Sequence, residues 1–243
     1  MSIKNIFILL PLIIVNSVSY AASQKSGLAS EYKAINNINN KASLQRGAKY
    51  FVNYCSGCHS LKYMRMSTLA EDLNIEEAVF SKNLLFSTKK IGETMTIPMS
   101  ESDAILWFNA IPPDLSLTAR SKGPDYIYSK LNTYYEDDNS PTGFNNMALP
   151  NTSMPNILAG LQGGQKLELD DKNKPVGFIK ISEGTHNDLE YKQLTNEITN
   201  FLIYVSEPAK LRRYSMGFWV LMFIFIFTII AYYTKKEFWK DVH

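Results

Sequence analysis

Cys55-Ser56-Gly57-Cys58-His59 is the stretch whose reading decides the fold. It is the C-x-x-C-H pattern at which c-type haem is attached. Two thiols add across the two vinyl groups of the porphyrin as thioethers, and two intervening residues let both reach one porphyrin edge. The adjacent imidazole then ligates the iron. Upstream, Leu44, Ala48, Phe51 and Val52 recur at the spacing of one helical face. Ser43 reads as the N-cap of that helix, which runs into the motif and presents it. A dithiol redox site would want C-x-x-C in a βαβ setting, which this sequence does not offer. A structural zinc site would want four Cys or His ligands, and the chain has only two cysteines and three histidines.

A second axial ligand must come from elsewhere. His186 and His243 are the other histidines, and His243 falls beyond a membrane span. Met1 lies in the N-terminal apolar segment, Met216 and Met222 in the C-terminal one. Met64 and Met66 follow His59 too closely to reach the opposite face of a haem. Met95, Met99, Met147 and Met154 remain. Met154 alone of these precedes a proline, and Pro155 biases it towards extended backbone, which suits a loop lying against a flat ligand. On the residues alone Met154 is preferred, with Met147 and then His186 still open. Ile111-Pro112-Pro113-Asp114-Leu115 is a rigid stretch suited to walling one side of such a ligand. Arg120, which follows, has the charge and shape to pair with an anionic propionate.

Both ends of the chain are apolar. Ile6 to Val15 follows Lys4 and precedes the small residues Ser19 and Ala21, the organisation of a secretory signal with cleavage expected after Ala21. Tyr214 to Tyr233 carries no charge and has the length needed to cross a bilayer, with Trp219, Tyr232 and Tyr233 towards its ends. The expected organisation is a signal at 1–21, an exported domain at 22–213, one transmembrane helix at 214–233 and a cytoplasmic tail at 234–243. Export places the domain on the outer face of a bacterial inner membrane. With 25 Lys+Arg against 23 Asp+Glu the net charge is +2, which excludes a nucleic-acid binder driven by bulk positive charge.

Between the ends, a second long helix is expected from near Thr195, with Ile198, Phe201, Leu202 and Val205 on one face, ending before Pro208. Shorter helices are expected at 104–109, 126–134 and 154–162, a turn at Gly163-Gly164, and a small β-excursion formed by 176–182 and 189–193. Glu136-Asp137-Asp138 and the set Glu168, Asp170, Asp171 form two acidic clusters. They are candidates for docking a basic soluble protein.

Several stretches together resemble the cytochrome c1 family, the haem subunits of cytochrome bc1 complexes, closest to the proteobacterial form. They are Arg46 to Tyr63 around the C-x-x-C-H motif, Pro112-Pro-Asp-Leu-Ser-Leu-Thr-Ala-Arg120 and Met154-Pro-Asn-Ile-Leu158. Phe201 to Pro208 follows, leading into a single span and a basic tail. The resemblance implies a mainly α, class I cytochrome c-like haem domain with long loop insertions and one C-terminal transmembrane helix. It implies one covalent haem c, thioethers at Cys55 and Cys58, and axial ligands His59 and Met154. Arg120 is implied as a propionate contact, Pro112 as haem-wall packing, and Tyr126 as a further contact on the propionate side. Ser153 stands where a glycine often precedes the ligand methionine, and Met66 where an aromatic residue is common. The implied activity is that of the electron-transfer subunit of a ubiquinol:cytochrome c oxidoreductase, with no acid–base catalytic residue of its own. Its implied partners are cytochrome b, a Rieske iron–sulfur protein and a soluble or membrane-bound cytochrome c, within a dimeric complex. The alternative is a free-standing membrane-anchored cytochrome c serving an oxidase.

Overall fold

The structure, a computed structural model, describes residues 28–86 and 90–241. The expected signal segment and His243 lie outside the described residues. A short 3-10 turn (Leu28–Glu31) leads into α1 (Lys41–Tyr54), β1 (Leu61–Arg65), α2 (Met66–Asp72), α3 (Glu77–Asn83), β2 (Thr94–Met95) and α4 (Glu101–Phe108). Then come α5 (Thr118–Lys122), α6 (Pro124–Asn132), β3 (Tyr134–Glu136), β4 (Phe144–Asn146), α7 (Ala159–Gln162), β5 (Gln165–Leu169), β6 (Pro175–Lys180), α8 (Asp188–Ser206) and α9 (Ala209–Phe238). The strands form three two-stranded antiparallel pieces, β1–β2, β3–β4 and β5–β6, so helices and loops dominate.

The centre of the domain is the packing of α1 on α8. Leu44, Ala48, Phe51 and Val52 of α1 and Ile198, Phe201, Leu202 and Val205 of α8 are all buried, as their spacing requires. Gly47 sets how closely the helices meet. A Cβ there would lie 2.2 Å from the Glu197 carbonyl oxygen and 2.7 Å from Phe201 Cβ. Phe51 and Phe201 meet one turn on, their rings tilted by 47° with centroids 5.6 Å apart. At the rim of the contact Arg46 donates from Nε and from a terminal nitrogen to Glu197 Oε1, at 2.7 and 2.6 Å. That bond answers a carboxylate only 5% exposed, which burial would otherwise make costly.

Helix starts differ from the sequence expectation, for local reasons. Asn40, not Ser43, caps α1, its side chain accepting from Ser43 N at 3.1 Å. Ser43 lies inside the helix, where Asn200 reaches its hydroxyl. α8 begins about two turns before Thr195, at a capping box in which Asn187 accepts from Leu189 N and Glu190 N, and Glu190 accepts from Asn187 N. The segment 189–193 is therefore helix, not strand. The strand at 175–180 pairs instead with 165–169. Thr195 is interior and binds Tyr191 O and the Asn132 side chain, which ties α6 to α8. Of the segment 154–162, only Ala159–Gln162 is helical.

Helix α9 continues out of the domain. Met216–Phe238 has mean hydropathy 2.1 and none of it is buried, the one such helix among the described residues. Its root is clamped to the domain. Asp72 accepts from Tyr204 Oη at 2.8 Å and from Arg212 at 3.0 Å, and Arg213 pairs with Glu207 at 2.6 Å.

Candidate haem site

Helix α1 delivers the motif. Cys55 is its C-cap residue, with its N–H bonded to Phe51 O. The Cys55 carbonyl then accepts from Cys58 N at 3.1 Å and His59 N at 2.9 Å, winding the motif into one tight turn. Both cysteines are free, Cys55 buried and Cys58 half-buried. Burial pushes the Cys55 thiol up to about 12, with Cys58 adding to the effect. Burial also raises Cys58. Reactive thiols are lowered instead, often at helix N-termini, whereas Cys55 closes a C-terminus. The environment therefore disfavours a thiol oxidoreductase.

His59 is held by Pro113. The Pro113 carbonyl accepts from His59 Nδ1–H at 2.8 Å, which fixes the ring and leaves Nε2 without a hydrogen-bond partner among the described residues. Desolvation holds this imidazole below the ordinary histidine value, opposed by the Pro113 bond and by Asp114; Lys130 adds to the lowering. The whole Pro112–Ser116 stretch is stitched to the motif's exit. Leu115 N donates to Ser60 O, Asp114 accepts from Lys62 N and Ser116 N, and Ser116 Oγ accepts from Tyr63 N. Pro112 itself is half-buried beside this seam.

Met154 lies on a half-buried loop. Tyr134 Oη donates to the Met154 carbonyl at 3.2 Å, and Met154 N donates to Thr152 Oγ1 at 3.3 Å. Upstream, Asn146 Oδ1 accepts from Ala148 N and Leu149 N, and Asn145 Oδ1 from Asn151 N, so buried asparagines shape the loop. Met64, Met66 and Met95 are at most 3% exposed within the core, where they act as filler. Met147 and Met99 are half-buried. His186 sits on the loop before α8, its Nδ1 facing Thr185 Oγ1 at 3.2 Å.

Arg120 is exposed on α5, and its guanidinium forms no ion pair among the described residues. It contributes weakly to lowering Glu207. Tyr126 is half-buried on α6, its hydroxyl raised by burial, and its charge would be felt at Tyr134. Lys130 and Tyr126 of α6 thus lie within electrostatic reach of His59 and of Tyr134 respectively. Sequence alone placed Pro113 and Asp114 in a rigid wall, not as the groups that hold His59 and its segment, and placed Tyr134 at the end of a helix expected over 126–134, where a strand begins instead. A Pro-Pro pair hints at a free, rigid carbonyl; a tyrosine in a short strand gives no such hint.

Comparison with known proteins gives the family. A sequence profile described as the Cytochrome C1 family matches residues 31–242. The chain belongs to the cytochrome c1 family. Cytochrome c1 of Allochromatium vinosum is 46% identical over 212 residues, covering 85% of this chain and 87% of its own. A protein named ammonia monooxygenase gamma subunit, from Nitrosomonas europaea, is 35% identical over 237 residues, 98% of each chain. A chain of a solved hyperthermophilic respiratory Complex III covers 99% of this chain and 98% of its own length at 17% identity and a TM-score of 0.45, too distant to carry an argument.

The residues present fit the haem c that cytochrome c1 membership implies. Two unpaired thiols, a half-buried imidazole with one nitrogen anchored, and a thioether on a fixed loop are the donor types that a His/Met c-type site needs. Ile111 and Ile157 flank the two ligand-bearing segments and are 49% and 37% exposed, apolar surface that a porphyrin could cover.

Proposed function

We propose that the chain is the haem c subunit of a ubiquinol:cytochrome c oxidoreductase, receiving electrons from a Rieske iron–sulfur protein and passing them to a soluble or membrane-bound cytochrome c. The observation that carries this reading is the anchoring of His59 by the Pro113 carbonyl directly after two free cysteines. Bound here, a haem c supplies a one-electron carrier, and His/Met ligation gives it a high potential. Cys55 and Cys58 would hold it covalently, His59 Nε2 and the Met154 thioether would ligate its iron, and Arg120, Pro112 and Tyr126 would contact it. The chain's own work is to hold two ligands in fixed positions, so that little reorganises on electron transfer. No residue moves a proton.

The single span supports a membrane-anchored subunit beside cytochrome b, and the secretory signal expected at 1–21 would put the domain in the periplasm; the complex is read as dimeric from the family resemblance. Of the two acidic clusters, Glu136-Asp137-Asp138 is the better docking candidate. In both clusters one carboxylate serves its own turn, Asp137 accepting from Asn145 and Asn139 and Asp170 from Lys172 N and Lys174 N. The β5–β6 hairpin also interleaves Lys166, Lys172, Lys174 and Lys180 with its acids, which weakens its field for a basic partner.

Co-purification tests the reading. A tagged chain solubilised from membranes should bring down cytochrome b and a Rieske protein and catalyse quinol-driven reduction of cytochrome c. Isolation without cytochrome b would favour the free-standing carrier. Isolation with a monooxygenase would follow instead the name of the Nitrosomonas relative.

A further inference from the structure

Lys130 is a cation without an acceptor among the described residues. It occupies the last turn of α6, where its neighbours Ile127, Tyr128, Ser129, Leu131 and Asn132 are all buried. Its backbone is fixed, because Asn146 Nδ2 donates to the Lys130 carbonyl at 2.8 Å and Tyr191 Oη to that of Leu131 at 2.7 Å. Tyr126 lies four residues earlier and therefore on the same helix face. That face is the half-buried one, while Ile127 and Leu131 turn into the core beside α8. No hydrogen bond or ion pair of the Lys130 ammonium is made within the described residues. Burial holds it below the ordinary lysine value, and its charge reaches His59. Asp114 is the acid that also influences His59, but it forms no ion pair with Lys130, and its two oxygens accept from Lys62 N and Ser116 N.

A partly buried ammonium with no counter-charge is unfavourable, and the environment of such a group ordinarily supplies an anion. Nothing among the described residues does so here. We propose that Lys130 is a cofactor-positioning residue whose ammonium pairs with a carboxylate of the bound haem, a propionate, beside the His59 segment. This rests on the reading that a haem c sits between His59 and Met154. It gives the second propionate a partner distinct from Arg120. A fixed positive charge so close favours the reduced form of the cofactor, so Lys130 also raises the potential.

The test uses the full chain, haem-loaded and purified from membranes, as wild type, Lys130→Gln and Lys130→Arg. A pyridine haemochrome spectrum of the wild type first establishes covalent haem; its absence would sink the haem reading itself, separately from the role of Lys130. Equilibrium redox titration then measures the midpoint. Lys130→Gln should shift the ferrous/ferric balance about tenfold towards ferric, which is about 59 mV downwards for one electron. Lys130→Arg should stay close to wild type. Haem loss in the Gln variant but not in the Arg variant would also support the pairing. An unchanged midpoint in a haem-replete Gln variant overturns it. So does an Arg variant that shifts, or loses haem, as much as the Gln variant.

Discussion

An imidazole has two ring nitrogens, and the Pro113 carbonyl takes one of them, so the orientation of His59 is decided by a backbone oxygen. That oxygen stays in place because Asp114, Leu115 and Ser116 each bond to the segment 60–63. Asp114 does the most, accepting from Lys62 N and from Ser116 N. Asp114→Ala leaves two backbone donors without their acceptor and should cost about 1–3 kcal/mol. Thermal unfolding of the haem-loaded protein measures this; an unchanged Tm would mean that the seam is held elsewhere. The identities of Cys55, Cys58 and His59 were legible because their chemistry is tied to residue type and spacing. The Pro113 contribution was not, since a carbonyl has no residue signature. Tyr134 was expected to close a helix over 126–134; that helix ends at Asn132, and the Tyr134 hydroxyl pins the Met154 carbonyl from the strand that follows.

Helix α1 meets α8 at a glycine, so the strongest constraint on the core is an absent side chain. Gly47→Ala would drive a methyl to 2.2 Å from Glu197 O, backbone that cannot yield without separating the helices. The expected loss is about 1–3 kcal/mol or more, read as a lower Tm. A silent substitution would contradict the crossing described. The existence of both helices was legible from their apolar stripes, but their starts were not. Ser43 and Thr195 resemble caps, yet Asn40 and the Asn187–Glu190 box lie upstream and satisfy the first-turn N–H groups earlier. The segment 189–193 was expected in a small β-excursion, whereas the box before it fixes helix. At the far end of α8, the Arg213 bond chiefly holds the Glu207 carboxyl below its ordinary value of 4.5, with Lys210 and Arg120 assisting. A lowered folded-state value means the pair stabilises fully above pH 4.5 and fades as pH falls through the lowered value. Arg213→Ala should therefore reduce the loss of Tm on acidification below pH 4.5. An acid limb identical to that of the wild type would show that Glu207 is not tied by Arg213.

Across the whole molecule the packed interior ends before the span begins. The core cluster runs from Ile38 to Val205, with Leu211 packed against it, while Met216–Phe238 buries nothing. Truncation after Arg213 keeps the Asp72–Arg212 clamp and should release a soluble, haem-loaded domain; a fragment that matures without haem would contradict a self-contained domain. The whole account depends on His59 and Met154 together making a high-potential haem able to accept from a Rieske centre, whose own potential His ligation raises. The most direct measurement is the midpoint potential of the haem in Met154→Lys. Cys55 and Cys58 should keep the haem covalently in place. The midpoint should fall by on the order of 0.1 V or more, within the range axial ligands command. Because about 59 mV is tenfold for one electron, quinol-driven reduction should then fail while dithionite still reduces the haem. A Met154→Lys protein with the wild-type midpoint would contradict the account and pass the ligand role to Met147, then to His186.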